Sequence, residues 1–534
     1  MSRLGRVLVV AVPLAFLGAL FAWPVARTVV EGLRPGGQWE LGAAWDVVVA
    51  PSTRRVVWFT VGQAALSTAA TLLVGLPGAY ALSRVRFRGR AAARALVTIP
   101  FTLPTVVVAS AFKALGIEGT LWAIVAAHVF FNTAVVIRTV GGLWSHLDPA
   151  LEDAARTLGA SRWAAMREVT WPLLRPAVVA AATLTFLFCF TSFGVIVILG
   201  GVHYATIEVA IKEAVLDRLD LATGSVLALL QLAVVSVLVV LGARMGDARS
   251  TRQRLLSEHD TARPPRTAGE RMSLVATLAM LAVVLGAPLA VLVERSLRSA
   301  SGWTFDAYRT LNAAPSRSAL FVAPTEAIAT SLRYAVIATA VALVIGTCAA
   351  AVVAGRVAGR RSRRTLDLLV MLPLGTSAVT VAVGFLLALG RPPLDLRSSW
   401  LLVPLAQALL AVPFVVRIVV PVLRAIDPRL REAAATLGAG PWRARWEIDV
   451  PMVRRALLVA AGFAFATSLG EFGATLLLAR VDSPTVPVAI FRLLSRPGEA
   501  NFSAAMALST ILMALTGGAL FLIERVRLPG TRAF

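Results

Sequence analysis

The chain of 534 residues is 58% hydrophobic and 15% charged, with a mean hydropathy of +0.78. Soluble domains run about 45–50% apolar and about 25% charged, which excludes both an ordinary soluble fold and a disordered chain. The 52 Lys+Arg against 29 Asp+Glu leave a net charge of +23; on a water-soluble protein that would point to nucleic acid, but in so apolar a chain the basic residues read as loops on one side of a polytopic membrane protein.

A spanning helix needs about 20 mostly apolar residues. Twelve such runs follow one another, at about 7–30, 56–82, 92–115, 119–143, 173–199 and 223–243, then at about 272–293, 327–354, 365–389, 400–424, 453–479 and 502–524. The first follows Arg3 and Arg6 as a signal peptide would, but no small-residue cleavage site comes after it, and it is read as a span. The segments 1–6, 83–94, 144–175, 244–271, 355–364, 424–455 and 525–534 carry 33 of the 52 basic residues. With twelve spans all seven fall on one side. The positive-inside rule makes that side the cytoplasm and predicts a multi-pass membrane protein with both termini inside. The opposite loops, about 31–55, 200–222, 295–326 and 480–501, are poorer in arginine. Trp122, Trp144, Trp171 and Trp400 fall at predicted membrane edges, as interfacial anchors do.

Little in the chain could do chemistry. Cys189 and Cys348 lie in apolar runs and offer neither a disulfide framework nor metal-ligand spacing. The four histidines are scattered. Lys113 and Lys212 are the only lysines, and neither belongs to a phosphate-binding loop. No catalytic residue, metal site or bound cofactor is expected, and no nucleic-acid partner.

The chain repeats itself. LEDAARTLGASRWAAMREVTWPLLRP (151–176) is similar to LREAAATLGAGPWRARWEIDVPMVRR (430–455), with Asp153 matching Glu432, Gly159 matching Gly438 and Pro172 matching Pro451, each 279 positions apart. Arg138 and Arg417 share that offset, as do Phe193-Gly194 and Phe472-Gly473. A register held through two spans and a loop is a duplication, and six spans per half make it parallel. The expected division is a first repeat at 1–243, a cytoplasmic linker at 244–271 rich in Arg, Ser and Thr, and a second repeat at 272–534.

The repeated loop itself reads as a short helix. Asp153, Ala154, Ala155 and Leu158 have helical spacing, Asp153 suits a helix N-terminus, and Gly159 ends the helix. A second helical stretch from Ser161 to Val169 leads to Pro172. The small side chains of Ala154 and Ala155, repeated as Ala433 and Ala434 after Glu432, would let another protein's backbone come close. This pattern resembles the EAA loop of the membrane subunits of binding-protein-dependent ABC importers: EAA, three residues, Gly, then a hydrophobic-x-hydrophobic-Pro end. The first copy departs by reading Asp-Ala-Ala. Over nearly the whole chain the likeness is to fused two-copy permeases of the thiamine and iron(III) type. It is closest to the thiamine branch on AHVFFN (127–132), CFTSFGVIVILGG (189–201) and ATIEVAI (205–211), while SLGEFGATLLL (468–478) is typical of both branches.

The resemblance implies an all-α fold, about 12 transmembrane helices as two parallel six-helix repeats (the type I ABC importer permease fold). It implies two copies of an ATP-binding subunit docked on the loops around 150–172 and 429–451, with ATP held by that partner. It implies a substrate-binding protein on the opposite face and a surround of membrane lipid. The residues expected to couple to the ATPase are Asp153, Ala154, Ala155, Gly159 and Pro172, with Glu432, Ala433, Ala434, Gly438 and Pro451. The cargo expected is a small cationic solute, thiamine before iron(III); an ion-gradient-driven secondary transporter is the alternative of a different class.

Ionisable groups inside spans are costly and mark function. Glu471 stands about 18 residues into its span, and its counterpart is Ser192 beside Thr191. With Phe193 and Phe472 these would make a polar patch on the substrate path, or a gate. His128 and Asn132 are one helical turn apart and share a face; they are either path-lining or hydrogen-bonded between helices.

Overall fold

The computed structural model describes residues 3–201, 203–247, 261–299, 302–312, 320–355, 360–390 and 395–526. Among them the only sheet is a two-stranded ribbon of Arg298–Ser299 and Gly302–Trp303; nearly everything else is helix. Ten of the helices are long and apolar enough to cross a membrane: Val7–Leu33, Pro51–Arg84, Leu121–Trp144, Arg162–Phe190 and Leu221–Val240, then Ala268–Ser296, Pro324–Val353, Leu402–Ala425, Trp446–Gly470 and Glu499–Ile523. The protein is a multi-pass helical membrane protein.

Two of the twelve expected runs are not continuous helices. The run at 92–115 is a pair, Arg90–Thr102 and Thr105–Ala114, bent by 101°. Pro104 makes the break, because proline has no N–H to donate and pushes the preceding residue out of helical space; Leu103 sits at φ −73° and ψ 145°. The run at 365–389 breaks at the equivalent place. Arg360–Met371 ends there, and Ala378–Leu389 restarts after Ser377, whose hydroxyl accepts from the N–H of Val379 at 3.2 Å. Two more runs stop early. The one expected at 173–199 ends its helix at Phe190 and resumes as Gly194–Leu199, and the one at 453–479 ends at Gly470 and resumes as Gly473–Leu478.

The halves interlock. The first helix of each crosses to the other: Val7–Leu33 packs on Pro324–Val353 and Ala378–Leu389, while Ala268–Ser296 packs on Pro51–Arg84 and Thr105–Ala114. Within each half the tightest contact pairs Pro51–Arg84 with Leu121–Trp144, and Pro324–Val353 with Leu402–Ala425. Glycine permits that approach. A Cβ at Gly75 would lie 2.6 Å from Val136 Cγ1, and one at Gly346 would lie 2.6 Å from Val415 Cγ1. In lipid, where apolar burial adds little, close backbone approach is a main source of helix association.

Three of the four tryptophans singled out, Trp122, Trp171 and Trp400, are exposed. Trp144 is not an anchor of that kind. It is buried against Tyr80, with ring centroids 5.3 Å apart, because the face of its helix that carries it is the one packed on Pro51–Arg84.

Of the expected linker, residues 248–260 lie outside the described residues. Its later part docks beside the first repeated loop. Arg263 exchanges backbone hydrogen bonds with Arg84 and Arg86, Thr261 donates to the Ser145 carbonyl at 2.6 Å, and Glu270 pairs with Arg162 at 3.0 Å.

Candidate functional site

The two repeated loops fold alike to the level of single hydrogen bonds. Each opens on an Asp-Pro step. Asp148 accepts from the N–H of Ala150 and Asp427 from that of Arg429, both at 2.9 Å. These aspartates, unremarked in the sequence, start the helices Ala150–Thr157 and Pro428–Thr436; Asp153 lies within the first turn rather than at the cap.

The helix ends also match. The N–H of Gly159 bonds to the Arg156 carbonyl (3.0 Å) and that of Ala160 to the Ala155 carbonyl (3.1 Å); Gly438 bonds to Ala435 (3.0 Å) and Ala439 to Ala434 (2.9 Å). This is the Schellman ending, which needs a left-handed residue just past the helix. Gly159 has φ +93° and Gly438 has φ +83°. After each glycine comes a short helix and one π-helical turn, Met166–Thr170 and Arg445–Asp449, before the long helix that carries Pro172 or Pro451.

A side-chain tie anchors each loop helix to that π turn. In the first half the Thr170 hydroxyl donates to the Glu152 carboxylate; in the second Arg431 donates twice to Asp449 Oδ1, at 3.0 and 2.8 Å. The positions correspond but the chemistry differs, so the geometry is kept by two different solutions.

Each loop presents outward an acidic residue, small residues and one large apolar side chain. Asp153, Ala154, Glu432 and Ala433 are exposed, as are Gly159, Gly438, Pro172 and Pro451, while Ala155 and Ala434 are half-buried. Leu158 is 89% exposed and its counterpart Leu437 88%. Two equivalent apolar knobs, each held rigid by a glycine-capped helix end, stand clear of the protein's own core.

About 20 residues of helix, roughly 30 Å, separate these loops from the breaks at Thr191–Phe193 and Glu471–Phe472. The breaks meet there. Phe193 and Phe472, equivalent residues of the two halves, stack with centroids 5.5 Å apart. Around them lies a cavity of about 350 Å³. Its wall contains all seven residues expected on the substrate path: His128, Asn132, Thr191, Ser192, Phe193, Glu471 and Phe472. Phe101, Phe131 and Phe188 add aromatic surface.

The polar groups on the wall are differently occupied. Glu471 is not inside a continuous helix; it stands where the chain leaves one helix and starts the next. Its Oε1 accepts from the N–H of Ala474 at 2.7 Å, and its Oε2 from the N–H of Thr475 at 2.8 Å and from the Thr475 hydroxyl. Replacing Glu471 by Ala orphans those two N–H groups and is expected to cost about 1–2 kcal/mol, read as a lower thermal midpoint of the purified protein. Glu471→Gln, which keeps one acceptor oxygen, should lose less.

Asn132 donates to the His128 carbonyl at 3.0 Å and to Cys189 Sγ at 3.5 Å, and His128 Nδ1 bonds with the Ser67 hydroxyl at 3.0 Å. His128 Nε2 is buried on the wall with no protein partner.

One wall residue escapes a reading by hydropathy. Glu208 belongs to the stretch 200–222, which reads as an outer loop. The chain instead turns back into the protein there, and the helix Ile207–Lys212 packs against Leu221–Val240, Ala378–Leu389 and Pro51–Arg84. The only signal available was its place in ATIEVAI.

Known proteins show where this architecture recurs. The family described as "Binding-protein-dependent transport system inner membrane component" matches twice, over residues 71–252 and 342–525. The chain is 29% identical to the thiamine transport system permease protein ThiP of Escherichia coli K12, over 82% of this chain and 83% of that protein. It is 28% identical to the protein of the same name from Salmonella typhimurium LT2, over 92% of each. It is 26% identical to the probable ABC transporter permease protein y4fN of Sinorhizobium fredii, over 90% of this chain and 88% of that one.

Proposed function

The chain belongs to the family of inner membrane components of binding-protein-dependent transport systems, as a fused permease with two family domains in one polypeptide, and we propose that it carries thiamine, a small organic cation, into the cytoplasm. In this reading residues 1–243 and 272–534 are the two permease repeats, joined by 244–271, and both termini are cytoplasmic. Two copies of a separate ATP-binding subunit dock on the loops at 150–172 and 429–451, and ATP is bound and hydrolysed there rather than on this chain. An extracytoplasmic binding protein delivers the cargo to the opposite face.

The coupling part of this reading is supported by the identical helix ends around Gly159 and Gly438, each with its exposed leucine. One ATPase surface could seat both. The cargo part is carried by one observation: phenylalanine rings and a buried carboxylate, Glu208, share a single cavity wall at the meeting of the two halves. An organic cation gains from both, through the ring faces and through charge. A ferric ion needs several converging hard ligands, and among the described residues no group of three or more His, Cys, Asp or Glu is placed to hold a metal ion. The names of the relatives from Escherichia coli and Salmonella point the same way.

The test is uptake of labelled thiamine by cells that have no other thiamine importer. Expression of this chain with its ATP-binding subunit and binding protein should restore high-affinity uptake, and deletion of the chain should abolish it. Uptake unchanged by the deletion, or restoration of iron(III) uptake in place of thiamine, would reject the cargo.

A further inference from the structure

Two carboxylates face the cavity, and they are not equivalent. Both oxygens of Glu471 are engaged by its own chain, through two backbone N–H groups and a hydroxyl. Those donors compensate its charge and close the capping turn. Glu208 is 2% exposed and has neutral donors from side chains only: Gln231 Nε2 at 2.7 Å to its Oε1, and the Ser377 hydroxyl. No basic residue pairs with it among the described residues. Lys212, one turn along the same helix, is bound to Asp217 at 2.7 Å.

A carboxylate accepts about four hydrogen bonds, so Glu208 retains capacity toward the cavity it lines. An ionised carboxylate buried without a counter-charge is unfavourable, and a cation in the cavity would supply that charge. The group is also held in place from both halves. Gln231 belongs to the first half, and Ser377 starts a helix of the second. The corresponding position in the second half is Pro487, on a segment built the same way: the N–H of Ile207 donates to Thr60 Oγ1 and that of Val486 to Ser331 Oγ. The duplication thus keeps the scaffold and places the carboxylate on one side of the cavity alone.

We propose that Glu208 is the specificity-determining residue of the cavity, the carboxylate that reads the positive charge of an organic cation, while Glu471 serves the local fold. This deepens the cargo reading above and rests on it for the identity of the natural cation. It assigns the recognition of charge to a residue outside the expected spans.

The experiment compares the purified full-length chain with Glu208→Gln, Glu208→Asp and Glu471→Gln in detergent. Thermal stability is followed while thiamine or, separately, tetraethylammonium chloride is added at millimolar concentrations against sodium chloride of equal ionic strength. Wild type should be stabilised by both cations. Glu208→Gln, which keeps the shape and one acceptor, should bind each about tenfold more weakly or not at all, whereas Glu208→Asp and Glu471→Gln should stay within a few-fold of wild type. A Glu208→Gln protein that responds like wild type would overturn the assignment and leave the thiamine reading standing. Stabilisation of wild type by tetraethylammonium but not by thiamine would remove thiamine as cargo while supporting Glu208. No response of wild type to either cation, or an equal loss in Gln and Asp variants, would make Glu208 a packing residue and refute the proposal.

Discussion

A transporter carrying Gly159→Val together with Gly438→Val is expected to reach the membrane in normal amounts and to lose uptake and co-purification with its ATP-binding subunit. Both glycines occupy left-handed backbone, at φ +93° and +83°, and a β-branched residue there is strained by about 1–2 kcal/mol at each site. The strain is relieved by unwinding the last turn of the loop helix, which removes the Schellman bonds and lets Leu158 and Leu437 move. Nothing lies within 4 Å of a Cβ built at either glycine, so the core of the bundle is untouched and the defect is confined to the two loops. Asparagine tolerates the left-handed region better, and the Gly159→Asn, Gly438→Asn protein should retain much of its activity. Full uptake and intact co-purification in the valine double variant would show that these loops are not where the ATPase docks.

The second large effect belongs to the helix contacts. Gly75→Leu or Gly346→Leu should each destabilise the bundle by about 1–3 kcal/mol or more, seen as a lower thermal midpoint and a smaller monodisperse fraction after detergent extraction. The added side chain must fit where Val136 or Val415 already stands 2.6 Å from the Cβ position. The contact is a specific pair, so relief should be specific too. Val136→Ala should recover part of the loss in a Gly75→Ala background and none in a Gly346→Ala background. Equal recovery in both would mean that a general softening of the bundle, rather than this contact, sets stability.

The two effects differ in how far the amino-acid order alone foretold them. The loop helices are local structures. Their glycine endings, small exposed residues and repeat spacing depend on neighbours a few positions away, so 151–176 and 430–455 announce themselves twice. Glycine packing is half-local: Gly75-Leu-Pro-Gly78 reads from the sequence as either a close approach or a kink, and the partners Val136 and Ile137 emerge only once the helices are set side by side. The helix breaks were hidden because apolar runs continue on both sides of them; only Thr191, Ser192 and Glu471 interrupt the hydropathy there, too few polar residues to end a predicted span. Trp144 was misread for a related reason, since an aromatic residue at a helix end can face lipid or a neighbouring helix, and only packing decides which.

Composition and periodicity thus determined the membrane class, the duplication and the two loops, because each is written in the spacing of neighbouring residues. The seven residues expected on the substrate path lie on one cavity wall. Which carboxylate is free to meet a cargo was decided by the tertiary structure. Glu471 stands out in a line of apolar residues, yet the chain reversal at its own position supplies the N–H groups that occupy it. Glu208 lies in a stretch that reads as loop, yet the fold returns it to the cavity beside groups from helices more than twenty and more than one hundred and sixty positions away. Donors and acceptors for a buried charge come from wherever the chain passes in space, and no local pattern records that.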